Sequence, residues 1–175
     1  MTTTDLEWGP VQLVAGSLPE GMSTTRGGSV LTLIFNRLRV QLDGNSPDLR
    51  AMMFLALRVP VVVGDDVRVI GYKQDLRGTI DKSVGARAVL SADLHSVNHV
   101  IERPFREGDP GGTAQEFCRS IFAVEDRLAY EQDPAGFYKL PAFEVRLLLL
   151  VERKNRKDSA SIELATLDVA ALTQR

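Results

Sequence analysis

The chain has 175 residues, of which 44% are hydrophobic and 25% are charged, and its net charge is −2. This composition is typical of a globular protein with a core of its own, and it excludes a disordered or fibrous chain. A charge so close to zero gives little long-range attraction to nucleic acid or anionic lipid, so we expect neither as a partner.

The first residues contain no basic segment followed by an apolar one, and no apolar run approaches the length of a membrane-spanning helix. We therefore expect a cytoplasmic protein. The single cysteine, Cys118, excludes an intrachain disulfide. Its position beside Phe117 favours a small core residue over a nucleophile.

Residues 1–28 are rich in Thr, Ser and Gly, and only residues 11–14 have the character of a strand. We interpret this stretch as an N-terminal arm that precedes one domain over residues 29–175. Trp8 stands in the arm beside Gly9 and Pro10 and is a candidate binding residue. It would anchor the arm in a pocket of its own domain or of a neighbouring subunit.

Apolar residues recur at every second position from residue 29 onward, which predicts β-strands. The first, over residues 31–42, changes its phase near Asn36, so it either carries a bulge or crosses between sheets. Residues 52–63 are apolar almost throughout, which indicates a strand that is covered on both faces or lies centrally. Two short strands follow, around Val69 and Ile80, with glycines between them.

The last third of the chain has the clearest pattern. Every second residue over 143–151 is apolar, and Ala160, Ile162 and Leu164 repeat the alternation after a polar turn. This predicts two strands joined as a hairpin, with one face on a core. With about eight strands and no sustained helical period, we expect an all-β fold: an antiparallel two-sheet β-sandwich of Greek-key or jelly-roll type.

The only two histidines, His95 and His99, stand close to Asp93. In a strand they would lie about 13 Å apart, which is too far for both to hold one zinc ion. The segment Asp43-Gly44-Asn45 resembles the opening of a calcium loop, but the loop's twelfth position holds a phenylalanine instead of Glu. We therefore expect no metal site.

Nucleotide and acyl-transfer motifs are also missing. The sequence contains no Gly-x-Ser-x-Gly elbow and no glycine-rich phosphate loop. We therefore predict no catalytic residue, no cofactor and no enzyme. A metal-dependent enzyme built on Asp93, His95 and His99 is the least favoured alternative.

Three aromatic residues, Tyr130, Phe137 and Tyr138, flank the turn at residues 133–136. Aromatic rings on a loop at the end of a sandwich provide a large contact area at a small entropic cost, so they are candidates for binding a ligand or a partner. The alternative is that the rings close the open end of the core.

The order of features resembles the fungal and bacterial secreted family called domain of unknown function 4360. The similar elements are the long strand over residues 31–42, Gly71-Tyr72 and Leu76-Arg77-Gly78 before an alternating strand, Cys118, and the final pair of strands. The resemblance implies a β-sandwich over residues 29–170 without a known activity. It carries over no functional residue.

For function, the residues favour a non-enzymatic binding or self-assembly module that forms a homo-oligomer or contacts a protein partner. A carrier of a small ligand or carbohydrate that uses Tyr130, Phe137 and Tyr138 is the alternative.

Overall fold

The computed structural model describes residues 6–64, 67–94, 97–103, 115–124, 131–132, 138–139 and 142–174, and they contain only strands and connections. The strands, in chain order, are β1 (Leu6–Trp8), β2 (Gln12–Gly16), β3 (Ser23–Gly27), β4 (Val30–Leu42), β5 (Arg50–Val63), β6 (Arg68–Lys82), β7 (Ala86–Leu94), β8 (Val97–Arg103), β9 (Gln115–Val124), β10 (Glu131–Gln132), β11 (Tyr138–Lys139), β12 (Ala142–Arg153) and β13 (Ala160–Gln174).

Two antiparallel sheets pack against each other. Sheet I has the order β5-β12-β7-β8, with β1 and β2 both paired to the outer edge of β5; sheet II has the order β3-β4-β13-β6-β9. Strands β10 and β11 form a separate two-stranded ribbon. The predicted antiparallel two-sheet β-sandwich is therefore confirmed.

The eight strands from β4 to β9 together with β12 and β13 form a jelly roll. Along the chain, β4 to β7 alternate between sheet II and sheet I, and β8, β9, β12 and β13 do the same in the opposite sense. This interleaving of two Greek keys decides between the two connection types that the sequence left open. The two sheets contain eleven strands in the described part of the chain, not about eight, because β1, β2 and β3 extend both sheets.

The N-terminal segment is built into its own domain. Residues Leu6–Trp8 and Gln12–Gly16 pair successively along β5, and Ser23–Gly27 pairs with β4. The chain thus adds an edge strand to each sheet in turn. The strand character of residues 11–14 corresponds to β2. Strand β3 was not predicted, because all of its residues are exposed and it has no alternating apolar face.

The final two strands are not a hairpin, which corrects the prediction. Strand β12 pairs with β5 and β7 in sheet I, whereas β13 pairs with β4 and β6 in sheet II. Residues 154–159 therefore connect sheet I to sheet II. Alternation reports which face of a strand is buried, but it does not identify the neighbouring strand.

The change of phase in the first long strand is a bulge. Leu31, Leu33 and Phe35 are buried in one phase, and Leu38 is buried in the other. The pairing with β13 shifts at this point: the five residues from Ile34 to Leu38 oppose only three residues on β13, Leu164 to Thr166. The strand stays in sheet II throughout, so the bulge was the correct alternative.

The two short strands predicted around Val69 and Ile80 are one long strand, β6. Gly71 and Gly78 each lie beside a shift in the register with β13, whereas the pairing of Gly78 with β9 is regular. The glycines therefore do not end the strand. Glycine within a strand is compatible with a bulge or with close packing against another element.

Candidate interaction surface on sheet I

Trp8 lies in the core of its own domain. Its side chain is 3% exposed, and its ring lies 6.2 Å from the ring of Tyr72 on β6, centroid to centroid. Tyr72 in turn packs on Phe143 of β12 at 5.4 Å in an edge-to-face arrangement. Trp8 therefore anchors the N-terminal segment in its own chain. The structure thus shows the first of the two alternatives for the arm, and a role of Trp8 in binding a partner stays a prediction.

The three loop aromatics cannot be compared as a group. Tyr130 and Phe137 lie outside the described residues. The backbone of Tyr138 belongs to β11 and pairs with Gln132 of β10, but its side chain also lies outside them. Their role in ligand binding stays a prediction.

Strands β7 and β8 pair antiparallel on either side of residues 95–96. Asp93 of β7 lies opposite Asn98 of β8, and the backbone of His99 lies opposite Ala92. His95 and the side chain of His99 lie outside the described residues. The carboxylate of Asp93 lies 4.0 Å from the guanidinium of Arg146 on β12. Its nearest described charged partner is therefore a cation.

The segment at Asp43 forms a turn that is closed by its own hydrogen bonds. Oδ1 of Asp43 accepts hydrogen bonds from the backbone N–H groups of Asn45 and Ser46, at 2.9 and 3.2 Å. This is an Asx-type turn. Within the described residues no group of three His, Cys, Asp or Glu side chains is arranged to hold a metal ion.

One end of the sandwich is organised around Arg153, a polar side chain of β12 that points into the core and is 3% exposed. Its guanidinium donates hydrogen bonds to five backbone carbonyl oxygens: those of Asp43, Ser46, Asp48, Arg156 and Asp158. These carbonyls belong to the β4–β5 and β12–β13 connections. The bonds tie two loops together and satisfy the buried charge.

The outer face of sheet I contains an apolar patch, which we call the apolar face. Its six side chains point away from the core on four adjacent strands: Met52 and Phe54 of β5, Leu148 and Leu150 of β12, Val89 of β7 and Val100 of β8. Met52 is 62% exposed, Phe54 42% and Val100 51%. The six side chains thus form one contiguous apolar area on the outside of sheet I.

The apolar face consists of two neighbouring cross-strand rows. In the first row, Met52 lies opposite Leu150, which lies opposite Val89. In the second row, Phe54 lies opposite Leu148, and Val100 completes the row across Ser91. Cross-strand neighbours are close enough for their side chains to touch, so the two rows form one surface.

Charged rows border the apolar face at both ends. On one side, Arg50, Glu152 and Arg87 lie opposite one another on β5, β12 and β7. The guanidinium of Arg87 lies 3.0 Å from Glu152 and 2.7 Å from Glu102 of β8. The hydrogen bond to Glu102 is the main cause of a raised pKa of Arg87, and burial opposes it. On the other side stand Arg146 and Asp93.

The outer face of sheet II has a different character. Its middle strands present ion pairs and hydrogen bonds to solvent: Lys73 with Asp75 at 2.9 Å, Arg77 with Asp168 at 3.7 Å, and the hydroxyl of Thr32 with Asp168 at 2.7 Å. An antiparallel sheet with one solvated face has polar residues there. Sheet II has such a face, whereas the centre of sheet I does not.

The sequence contained a signal for this surface that was not assigned to it. Residues 147–151 and 52–54 are apolar without interruption, so each places apolar groups on both sides of its strand. The strand over residues 52–63 was predicted to be covered on both faces or to lie centrally. It lies between the edge strands and β12, and its outward residues Met52, Phe54 and Val62 are exposed.

No family model matches the sequence, and no curated protein matches it. The resemblance to the domain of unknown function 4360 therefore stays a prediction. In the described part of the chain, the structure contains no helix long and apolar enough to cross a membrane.

The comparison with solved structures found the following similar chains. A chain in the structure of infectious bursal disease virus, Gt strain, is similar over 90% of this chain, with a TM-score of 0.47 and 12% identity. A chain in the structure of the Gx strain is similar over 95% of this chain, with a TM-score of 0.46 and 8% identity. This chain spans 36% and 32% of the lengths of those two chains. TmCBM61, solved in complex with beta-1,4-galactotriose, is similar over 94% of this chain and 88% of its own, with a TM-score of 0.39 and 10% identity.

Proposed function

We propose that the protein is a non-enzymatic binding module that docks a protein surface on the apolar face of sheet I. The observation that carries the proposal is the difference between the two outer faces. Sheet II presents paired charges to solvent, whereas the outer face of sheet I presents Met52, Phe54 and Val100, each about half exposed.

The energetics favour a covered surface. Complete burial of a side chain such as Met, Phe or Val is favourable by about 1.5–3 kcal/mol. Burial of the exposed halves of Met52, Phe54 and Val100 by a partner would therefore contribute roughly 1 kcal/mol each to binding. Leu150 and Val89, in the same apolar face, are only 8% and 7% exposed. A partner would therefore complete a hydrophobic layer whose middle is already packed.

The surface also has the composition of an interface. Apolar and aromatic residues occupy its centre, and charged residues are confined to its borders, as in the core and rim of protein–protein contacts. A rigid sheet presents these residues with little entropic cost on binding, because the backbone is fixed by pairing on both sides of β12 and β7.

Photo-crosslinking in the cells that make the protein tests this proposal. A photo-reactive amino acid replaces Met52, the most exposed side chain of the apolar face, and the matched control places it at Arg39, which is exposed on the outer face of sheet II. We expect a protein adduct at position 52 that disappears when Phe54→Asp is added. Equal adducts at both positions, or none at position 52, would contradict the proposal.

A further inference from the structure

The charged borders of the apolar face are self-complementary. On β12, the acidic Glu152 stands at one end of the two apolar rows and the basic Arg146 at the other. On β7 the order is reversed, with Arg87 beside Glu152 and Asp93 beside Arg146. Each of the two middle strands thus carries opposite charges at the two ends of the surface, and the order of these charges on β7 is the reverse of that on β12.

From this pattern we infer that the partner of the apolar face is a second copy of this chain, packed face to face about a two-fold axis. The axis crosses the strands between the Met52–Leu150 row and the Phe54–Leu148 row. This inference rests on the function proposed above and names the occupant of the same surface. An interface of this kind pairs one patch with itself, so the patch must be complementary to itself.

Rotation about that axis exchanges the ends of the surface. Glu152 then faces the Arg146 position of the other copy, and Arg87 faces the Asp93 position. Each copy keeps its own pairs, Arg87 with Glu152 at 3.0 Å and Arg146 with Asp93 at 4.0 Å. The four charges that β12 and β7 of the two copies contribute to each border would therefore alternate in sign.

The same rotation also pairs the apolar rows. Phe54 packs on Met52 of the other copy, and Leu148 packs on Leu150. Aligned sheets cross at about −30°, and the long arginine side chains tolerate the offset that this twist introduces at the borders. Binding of an unrelated protein requires only that the apolar face be complementary to that protein. It does not require opposite charges at the two ends of both β12 and β7.

The size of the surface sets the expected strength. Four strands spaced about 4.8 Å apart, each over eight residues, give a footprint of roughly 500 Å² per copy. The total of roughly 1,000 Å² lies near the lower limit of specific interfaces. We therefore expect a reversible dimer whose population changes with concentration in the micromolar range.

Two charge-swapped variants test the geometry. The first is Arg146→Glu with Asp93→Arg, and the second is Arg87→Glu with Glu152→Arg. Each keeps an opposite pair within its own chain. In a dimer of either variant alone, however, like charges would face each other at both borders. We expect each to dimerise about a hundredfold more weakly than the unchanged protein.

An equimolar mixture of the two variants gives the decisive measurement. In the mixed dimer, every facing pair is again of opposite sign, so sedimentation equilibrium should show dimer in the mixture and monomer in each variant alone. The control is Arg77→Glu on the outer face of sheet II, which should dimerise as the unchanged protein does. Circular dichroism verifies that every variant is folded.

A second pair of variants serves if a charge-swapped chain does not fold. Phe54→Asp and Met52→Lys change exposed side chains, and in their mixed dimer the new carboxylate faces the new ammonium group. Each alone should be monomeric, and the mixture should dimerise.

An unchanged protein that is monomeric at every concentration would overturn the inference, as would folded variants that do not complement each other in the mixture. The crosslinking at position 52 separates this failure from failure of the proposed function. An adduct of twice the chain's mass supports the second copy. An adduct with a different protein leaves the binding face in place and overturns the second copy as its partner.

Discussion

Arg153 and Asp43 are 110 positions apart in the sequence, yet Nη1 of Arg153 donates a 2.7 Å hydrogen bond to the backbone carbonyl of Asp43. The same guanidinium reaches the carbonyl of Asp158 at 3.0 Å. One buried side chain of β12 thereby fixes the relative positions of the β4–β5 and β12–β13 connections.

Replacing Arg153 should be among the most destabilising single changes. Arg153→Met keeps much of the volume of the side chain but removes every donor, so five carbonyl groups lose a bond. We expect a loss of about 3 kcal/mol in the free energy of unfolding, because partners left unsatisfied in a buried network are costly. Urea denaturation measures it. Arg156→Ala, an exposed residue of the same loop, is the control and should change stability by less than about 0.5 kcal/mol. Equal effects would show that the hydrogen bonds of Arg153 contribute little to stability.

Gly85 is closely approached by the Asp158 carboxylate. A Cβ placed at Gly85 would collide with Oδ1 and Oδ2 of Asp158, and Oδ1 accepts a 3.0 Å hydrogen bond from the hydroxyl of Ser83. Gly85→Ala should therefore displace the carboxylate and lower the free energy of unfolding by about 1–3 kcal/mol.

The matched control for this change is Gly44→Ala, because a Cβ at Gly44 meets no atom within 4 Å. Replacing a glycine in open space reduces the entropy of the unfolded chain, so this variant should be neutral or more stable by up to about 1 kcal/mol. Thermal unfolding followed by circular dichroism compares the two. The explanation fails if both variants lose the same amount of stability.

Gln74 is a polar side chain in the wrong environment for its chemistry. It is 0% exposed on the inner face of β6, and among the described residues neither its amide oxygen nor its amide nitrogen has a hydrogen-bond partner. Gln74→Leu should therefore raise the free energy of unfolding by about 1–2 kcal/mol, because it removes a desolvated amide of similar volume. Gln41→Leu, on an exposed position of β4, is the control. A less stable Gln74→Leu protein in the same denaturation experiment would mean that the amide makes hydrogen bonds in solution.

Trp8 is the only tryptophan, so intrinsic fluorescence reports on its environment alone. Because the ring is packed against Tyr72 within its own domain, we expect an emission maximum typical of a buried indole, shifted to longer wavelength on unfolding. Dilution should not move the maximum of the folded protein. A red shift on dilution, with circular dichroism unchanged, would instead indicate that the N-terminal segment is anchored in a neighbouring subunit.

Truncation of the same side chain should be costly. Trp8→Ala removes a large buried ring, and such changes cost about 3–5 kcal/mol. The matched control is Val14→Ala in β2, since Val14 is 63% exposed. Thermal unfolding by circular dichroism compares them, and a Trp8→Ala protein as stable as the control would contradict the anchoring role.

The period-two alternation was enough to predict the class of fold and the inward side of most strands. Leu147 and Leu149 of β12, for example, were assigned to the core from their spacing and are 0% exposed. The phase change near Asn36 likewise located the bulge of β4. These features are local, because the direction of a side chain in a strand follows from its position parity.

Much of the candidate site lay beyond such reasoning. The apolar runs at residues 52–54 and 147–151 indicated strands with two apolar sides, but nothing local shows that Phe54 and Leu148 are neighbours. That Trp8 is buried against Tyr72 was equally undetermined, since both alternatives for the N-terminal segment fitted the same residues.

The sequence by itself therefore determined that this chain folds into strands with one buried face and that common catalytic motifs are missing. The tertiary structure decided that β12 and β13 lie in different sheets, that Arg153 joins two distant loops, and that Glu152 and Arg146 border one apolar surface. The physical reason is that strand pairing depends on hydrogen bonds and packing between distant segments, which a one-dimensional pattern of polarity does not contain.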